Sequence, residues 1–147
     1  MPVEAEKVEK FISVLFNLVS AIKSESEYCC RICGDLNEKE LMIVAFIGQN
    51  KSVKMSAIAD NIQAPLSTLT SIVDKLVTNK FLLRYNSDDD RRVVKVGLDE
   101  KGKASYKQFI NHKRIMAKRV LSHLSEIEQE TLLDNLSKLA SSIKSPK

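Results

Sequence analysis

Residues 55–102 carry the ordered series of local patterns that most constrains how this chain can fold. Apolar residues recur at helical spacing twice, on either side of a turn that contains Pro65. Two runs with β-branched or aromatic residues then flank a loop rich in Asp and Arg. The series predicts a helix over 55–62, a turn at 63–65, a helix over about 66–79, and strands over 82–86 and 93–98.

Two short helices across a tight turn, followed by a hairpin, are the parts of a winged helix-turn-helix. The rest of the chain is predicted to be helical: a first helix over 3–24, a second capped by Asn37 and Glu40, a long one from Asp99 to about 123, and a last one capped by Ser125 and Glu128. We therefore expect a mainly α fold with a small β-hairpin wing.

One structural domain is expected for a chain of 147 residues. Within it the sequence predicts three regions. They are an N-terminal dimerisation helix with a cysteine-containing connection at 1–36, a winged helix-turn-helix at 37–99, and C-terminal dimerisation helices at 100–147.

Positive charge is concentrated in one part of the chain. Residues 75–119 hold 13 basic and 5 acidic side chains, whereas residues 1–74 hold 7 basic and 10 acidic ones. Lys and Arg in such a stretch would neutralise phosphates and release counterions, which is the sequence-independent part of DNA binding. A solvated basic helix face is the alternative for the seven basic residues on the long helix after Asp99.

The second helix of the helix-turn-helix has a polar face suited to a DNA groove. Short hydroxyls and one Lys suit contacts with base edges and phosphates. The helix has no Arg, so guanine reading by a bidentate Arg is not expected from it. The candidate DNA-binding residues on this helix are Ser67, Thr68, Thr70, Ser71 and Lys75.

The ordered set of motifs resembles the multiple antibiotic resistance regulator (MarR) family of repressors. The matching residues are Ile58-Ala59, Leu66-Ser67-Thr68-Leu69-Thr70, Val73-Asp74-Lys75-Leu76, Arg84, Asp90-Arg91-Arg92 and Leu98-Asp99-Glu100-Lys101-Gly102. The resemblance implies a homodimer, interleaved through the first and the last two helices, whose two winged modules read a palindrome.

The same resemblance assigns roles in the hairpin. Arg92 would enter the minor groove from the wing tip, and Asp90 would orient an arginine through a charge-assisted hydrogen bond. Arg84, Arg91 and Lys95 complete the candidate DNA-binding set. Gln63 and Lys80 stand where many relatives have glycine, so we expect another residue, such as Asn79, to take the left-handed conformation.

Three cysteines lie close together inside a predicted polar break at 24–35. They are Cys29, Cys30 and Cys33, and they span five residues. Three interpretations stay open: small buried side chains near the dimer interface, a redox switch, or a metal or iron–sulfur site. A metal would need a fourth ligand, which His112 or His123 could supply only if the fold brings one close. No cofactor is otherwise predicted.

The sequence contains no set of residues typical of an enzyme active site, so we expect a non-enzyme. It also has no apolar run of membrane-spanning length and no signal-peptide pattern, so a cytoplasmic location is expected. The leading hypothesis is a dimeric DNA-binding regulator that acts as a repressor and is released by a small ligand or by thiol oxidation. The alternative is a winged-helix protein-interaction module without sequence-specific DNA binding.

Overall fold

The computed structural model describes residues 2–144. The chain forms two compact units that divide between Phe109 and Ile110. Its elements, in chain order, are α1 (Ala5–Ile32), α2 (Glu38–Asn50), β1 (Ser52–Lys54), α3 (Met55–Ile62), α4 (Leu66–Thr78), β2 (Leu82–Asn86), β3 (Val94–Leu98), α5 (Glu100–Leu121) and α6 (Glu126–Ile143).

The first unit is built around an apolar core shared by helices α2, α3 and α4 and by the sheet. Each helix contributes residues at three- or four-residue spacing, which places them on one face. The fully buried members include Ile43 and Ile47 of α2, Ile58 of α3, Leu69, Val73 and Leu76 of α4, and Leu82 and Val96 of the strands. This core fixes how α4 and the hairpin are presented.

The sheet has three antiparallel strands in the order β1-β3-β2. The hairpin strands were predicted within one residue, and β1 was not predicted. The extra strand, β1, is three residues long and pairs Val53 with Val96. Such a short run carries no alternation pattern, so it forms through pairing with β3 rather than through a local preference.

Helix α1 continues through the segment that the sequence analysis expected to be a polar break. Cys29 and Cys30 lie in its last turn, and Cys33 is its C-cap residue. The predicted break at 24–35 was therefore wrong for most of its length. Ser and Glu do not stop a helix in the absence of Gly or Pro. The chain turns at Gly34, whose φ of 110° suits glycine, and at Asp35.

The turn after α4 corrects a further expectation. Lys80, not Asn79, is left-handed, with φ of 67° against −86° for Asn79. Phe81 N–H donates to the Leu76 carbonyl and Lys80 N–H donates to the Val77 carbonyl, which is the Schellman pattern. Gln63 likewise takes φ of 53° after α3. Lysine and glutamine thus occupy the positions that favour glycine.

The second unit contains the C-terminal part of α5 and all of α6. Ser125 and Glu128 form the predicted capping box: the Ser125 hydroxyl accepts from Glu128 N–H, and Glu128 Oε2 accepts from Ser125 N–H at 2.8 Å. His123, predicted to lie on the long helix, follows the end of α5. Across residues 2–144, the structure holds no helix with the length and apolar character needed to span a membrane.

Candidate nucleic-acid interface

Helix α4 presents the hydroxyl face that the sequence predicted. Leu69, Val73 and Leu76 are buried, which turns the opposite face outward. Leu66, the first residue of the helix, is 56% exposed. The residues left exposed on α4 include Ser67, Thr68, Thr70 and Ser71.

Two of these hydroxyls also bond to the helix itself. Thr70 Oγ1 donates to the Leu66 carbonyl at 2.8 Å, and Ser71 Oγ donates to the Ser67 carbonyl at 3.4 Å. A hydroxyl that donates in this way keeps lone pairs that accept hydrogen bonds. Thr70 can therefore accept from a base amino group while its methyl group offers an apolar contact.

Lys75 has a protein partner that sequence reasoning missed. Its Nζ lies 2.6 Å from Oε1 of Glu40, a residue of α2 that is only 4% exposed. The other carboxylate oxygen of Glu40 accepts from the Asn37 N–H at 3.0 Å, in the predicted capping box. The pair joins residues 35 positions apart, so no local pattern could have predicted it.

Arg84 also has a partner within the protein. Its Nη1 lies 2.5 Å from Oδ1 of Asp74, so an ion pair connects β2 to α4. Arg84 was predicted to bind DNA from the resemblance alone. In the structure its guanidinium contacts a carboxylate of α4.

The wing loop between β2 and β3 is held by its own backbone. Ser87 N–H donates to the Val93 carbonyl at 2.9 Å, and Val93 N–H donates to the Asp90 carbonyl at 3.0 Å. Asp90 Oδ1 accepts from the backbone N–H of Arg92 at 3.0 Å. The carboxylate thus shapes the turn through the main chain of Arg92, where we had expected it to orient a guanidinium. Arg91 and Arg92 are both exposed.

The cysteines lie in the first unit, where α1 meets α2. All three are buried, and Cys29 Sγ lies 3.7 Å from Cys33 Sγ as a thiol contact without a disulfide bond. A cavity of about 270 Å³ beside them includes Cys30 in its wall. The other lining residues are Lys23, Ser26, Glu27, Arg31, Asn37 and Glu38. Within residues 2–144, no three or more His, Cys, Asp or Glu side chains are arranged to hold a metal.

Known proteins resemble this chain most clearly in the winged module. Residues 36–94, which include α2 to β2 and the wing loop, match the model of the MarR family. Over this region the chain is similar to the MarR family. This similarity, and that to HTH-type transcriptional regulators, agrees with the predictions of the family resemblance, of the winged fold and of a transcriptional regulator rather than an enzyme.

Two Bacillus subtilis regulators are similar to this chain. The uncharacterised HTH-type transcriptional regulator YfiV is 28% identical over 113 residues, covering 77% of this chain and 71% of YfiV. The HTH-type transcriptional repressor MdtR is 27% identical over 101 residues, covering 69% of this chain and 65% of MdtR. Among solved structures, the S. aureus MepR–DNA complex has a TM-score of 0.68 and 25% identity, covering 89% of this chain and 98% of that chain.

Proposed function

We propose that the protein is a sequence-specific DNA-binding repressor that reads a palindromic operator as a homodimer. The observation that carries the proposal is the exposed hydroxyl face of α4. This helix is followed in the chain by a hairpin whose tip presents Arg91 and Arg92. A MepR structure of similar fold is a DNA complex, and the relative MdtR is named a repressor. Both findings support the proposal.

Different residues carry different parts of the proposed recognition. Base edges in the major groove are assigned to the hydroxyls of α4, which discriminate through hydrogen bonds and methyl contacts. Arg92 is assigned to the minor groove, with Arg91 and Lys95 on nearby phosphates. Lys75 and Arg84 are assigned to positioning α4, because each is paired with a carboxylate of the protein. The hydroxyl residues are Ser67, Thr68, Thr70 and Ser71.

Exposed apolar faces support the proposed homodimer. On α1, Phe16 is 72% exposed, and eight further large apolar residues from Val8 to Ile22 are at least 40% exposed. On α6, Ile127 and Ile143 are more than three-quarters exposed. Contiguous exposed apolar surface of this kind is typical of a protein interface. A dimer would place two winged modules on successive half-sites of a palindrome.

Release from DNA is proposed to begin where α1 meets α2. The cavity there has both charged and thiol groups in its wall, which suits a small polar effector. Thiol oxidation is the second route: a hydroperoxide would take two hydrogens from Cys29 and Cys33, forming a disulfide, an alcohol and water. The sulfur atoms would move from 3.7 Å to about 2.05 Å apart, which requires a shift in the buried end of α1.

Selection from a random duplex library tests the function. The full-length protein should enrich a palindrome whose half-site centres are about one helical turn, roughly 10 base pairs, apart. A library that shows no enriched motif after several rounds would favour the protein-interaction module instead. Titrating the selected duplex with wild type and with Cys33→Ser, each before and after peroxide treatment, separates the two release routes. If thiol oxidation causes release, peroxide should lower the DNA affinity of wild type but not that of Cys33→Ser.

A further inference from the structure

We infer that Glu40 determines the electrostatic character of the DNA-reading helix by holding Lys75 in an ion pair. This inference rests on the proposed DNA binding. Lys75 is the only basic residue of α4, and Asp74 is its only acidic one. Because Asp74 is paired with Arg84 and Lys75 with Glu40, α4 has no uncompensated charge.

Burial makes Glu40 a strong partner for a cation. The residue is 4% exposed, and burying a carboxylate is costly unless hydrogen bonds and a positive charge compensate for the lost water. Asn37 N–H supplies one hydrogen bond, and Lys75 supplies the charge at 2.6 Å. The Lys75 side chain is 61% exposed, so its methylene groups lie on the surface of α4 while its ammonium group contacts the buried carboxylate of Glu40.

The ammonium position matters because of where Lys75 lies on the helix. Ser71 and Ser67 precede it by four and eight residues, so all three follow one another along a single face. An uncompensated lysine on that face would attract any phosphate, whatever the base sequence. Glu40 removes that attraction and leaves recognition by α4 to the hydroxyl groups. Glu40 is thus a positioning residue that favours specific over non-specific binding.

Salt dependence of DNA binding separates this role from a purely structural one. Glu40→Gln keeps a side-chain oxygen for the capping box but removes the charge that holds Lys75. The freed ammonium would bind a phosphate, so the slope of log K against log salt should steepen by about 0.9. Affinity for random DNA should rise more than affinity for the operator. Asp60→Asn is the control, since it removes one carboxylate charge from an exposed position on the neighbouring helix α3.

Lys75 variants provide the decisive arms. In wild type, Lys75→Gln should leave the salt slope unchanged, because the paired ammonium neutralises no phosphate. In the Glu40→Gln background, Lys75→Gln should cancel the steepening of the slope. With Glu40 present, Lys75→Arg preserves the ion pair and should resemble wild type. Circular dichroism would detect a Glu40→Gln variant that fails to fold. In that case the Lys75 variants made with Glu40 present still test the inference.

Two results would overturn the inference. One is a slope that becomes shallower by about 0.9 in Lys75→Gln, since that would place Lys75 on a phosphate in wild type. The other is a folded Glu40→Gln variant with an unchanged slope. A wild-type protein with no preference for operator over random DNA would instead contradict the proposed function, on which the inference depends.

Discussion

Arg84 of β2 and Asp74 of α4 form an ion pair with 2.5 Å between Nη1 and Oδ1. The pair connects the start of the wing hairpin to the proposed recognition helix. Its two side chains are 32% and 57% exposed, so water and salt screen it, and we expect it to contribute about 1 kcal/mol or less to stability. We propose that the pair helps to orient α4 against the sheet.

Arg84→Gln should therefore weaken operator binding without changing its salt slope. The guanidinium is held by Asp74 and neutralises no phosphate, so the loss comes from a less well-fixed α4. Fluorescence anisotropy at several salt concentrations measures both quantities. A slope that falls by about 0.9 would show that Arg84 contacts a phosphate after all.

Arg92→Ala should weaken operator binding and also reduce the salt slope by about 0.9. The exposed wing tip is held by the Asp90–Arg92 hydrogen bond, so the guanidinium is presented on a fixed turn. Lys138→Ala, on α6, removes the same charge outside the proposed interface and serves as the control. Equal effects of the two substitutions would mean that only total charge matters.

Gly102→Ala should destabilise the protein by about 1–3 kcal/mol, the usual range for overpacking. A Cβ at Gly102 would overlap the backbone carbonyl oxygen of Phe81, and backbone cannot move aside as a side chain can. Gly97→Ala is the matched control, because its nearest neighbour would be Tyr85 Cε1 at 3.5 Å, an ordinary contact. Urea unfolding of both variants measures the difference. Equal stabilities for the two variants would contradict this explanation.

The capping box of α6 predicts a pH dependence. The backbone N–H of Ser125, and secondly its hydroxyl, lower the pKa of Glu128 below the usual glutamate value. A lowered pKa means that the contribution to stability is fully present above the unfolded-state pKa and is lost as pH falls through the folded-state pKa. An NMR titration of the Glu128 carboxyl should show this lowered midpoint, and Ser125→Ala should raise it. A wild-type midpoint at the usual value would contradict the cap.

Local patterns predicted those parts of the fold that local interactions determine. Both capping boxes and the α3–α4 turn depend on residues within a few positions of one another, and all were confirmed. The end of α1 was predicted too early because the Ser, Glu and Cys residues were interpreted as the end of the helix. The chain in fact turns at Gly34. Strand β1 was missed because it exists only through its pairing with β3.

The exposed residues of the candidate site could be predicted from the sequence, but the ion pairs of Lys75 and Arg84 could not. Hydroxyls on the polar face of α4 follow from helical spacing alone. The partners of Lys75 and Arg84 do not, since Glu40 is 35 residues from Lys75 and packing brings the two together. The sequence predicted DNA contacts for both cations but not the ion pair that each makes within the protein.

Sequence-specific DNA binding by the winged module is tested most directly by one anisotropy titration. The full-length protein is titrated with the duplex upstream of its own gene and with random duplex, under reducing conditions, beside Arg92→Ala. We predict tight, salt-dependent binding to the upstream duplex, weak binding to random DNA, and a shallower salt slope in the variant. Equal affinity for both duplexes at every salt concentration, with Arg92→Ala indistinguishable from wild type, would contradict the account.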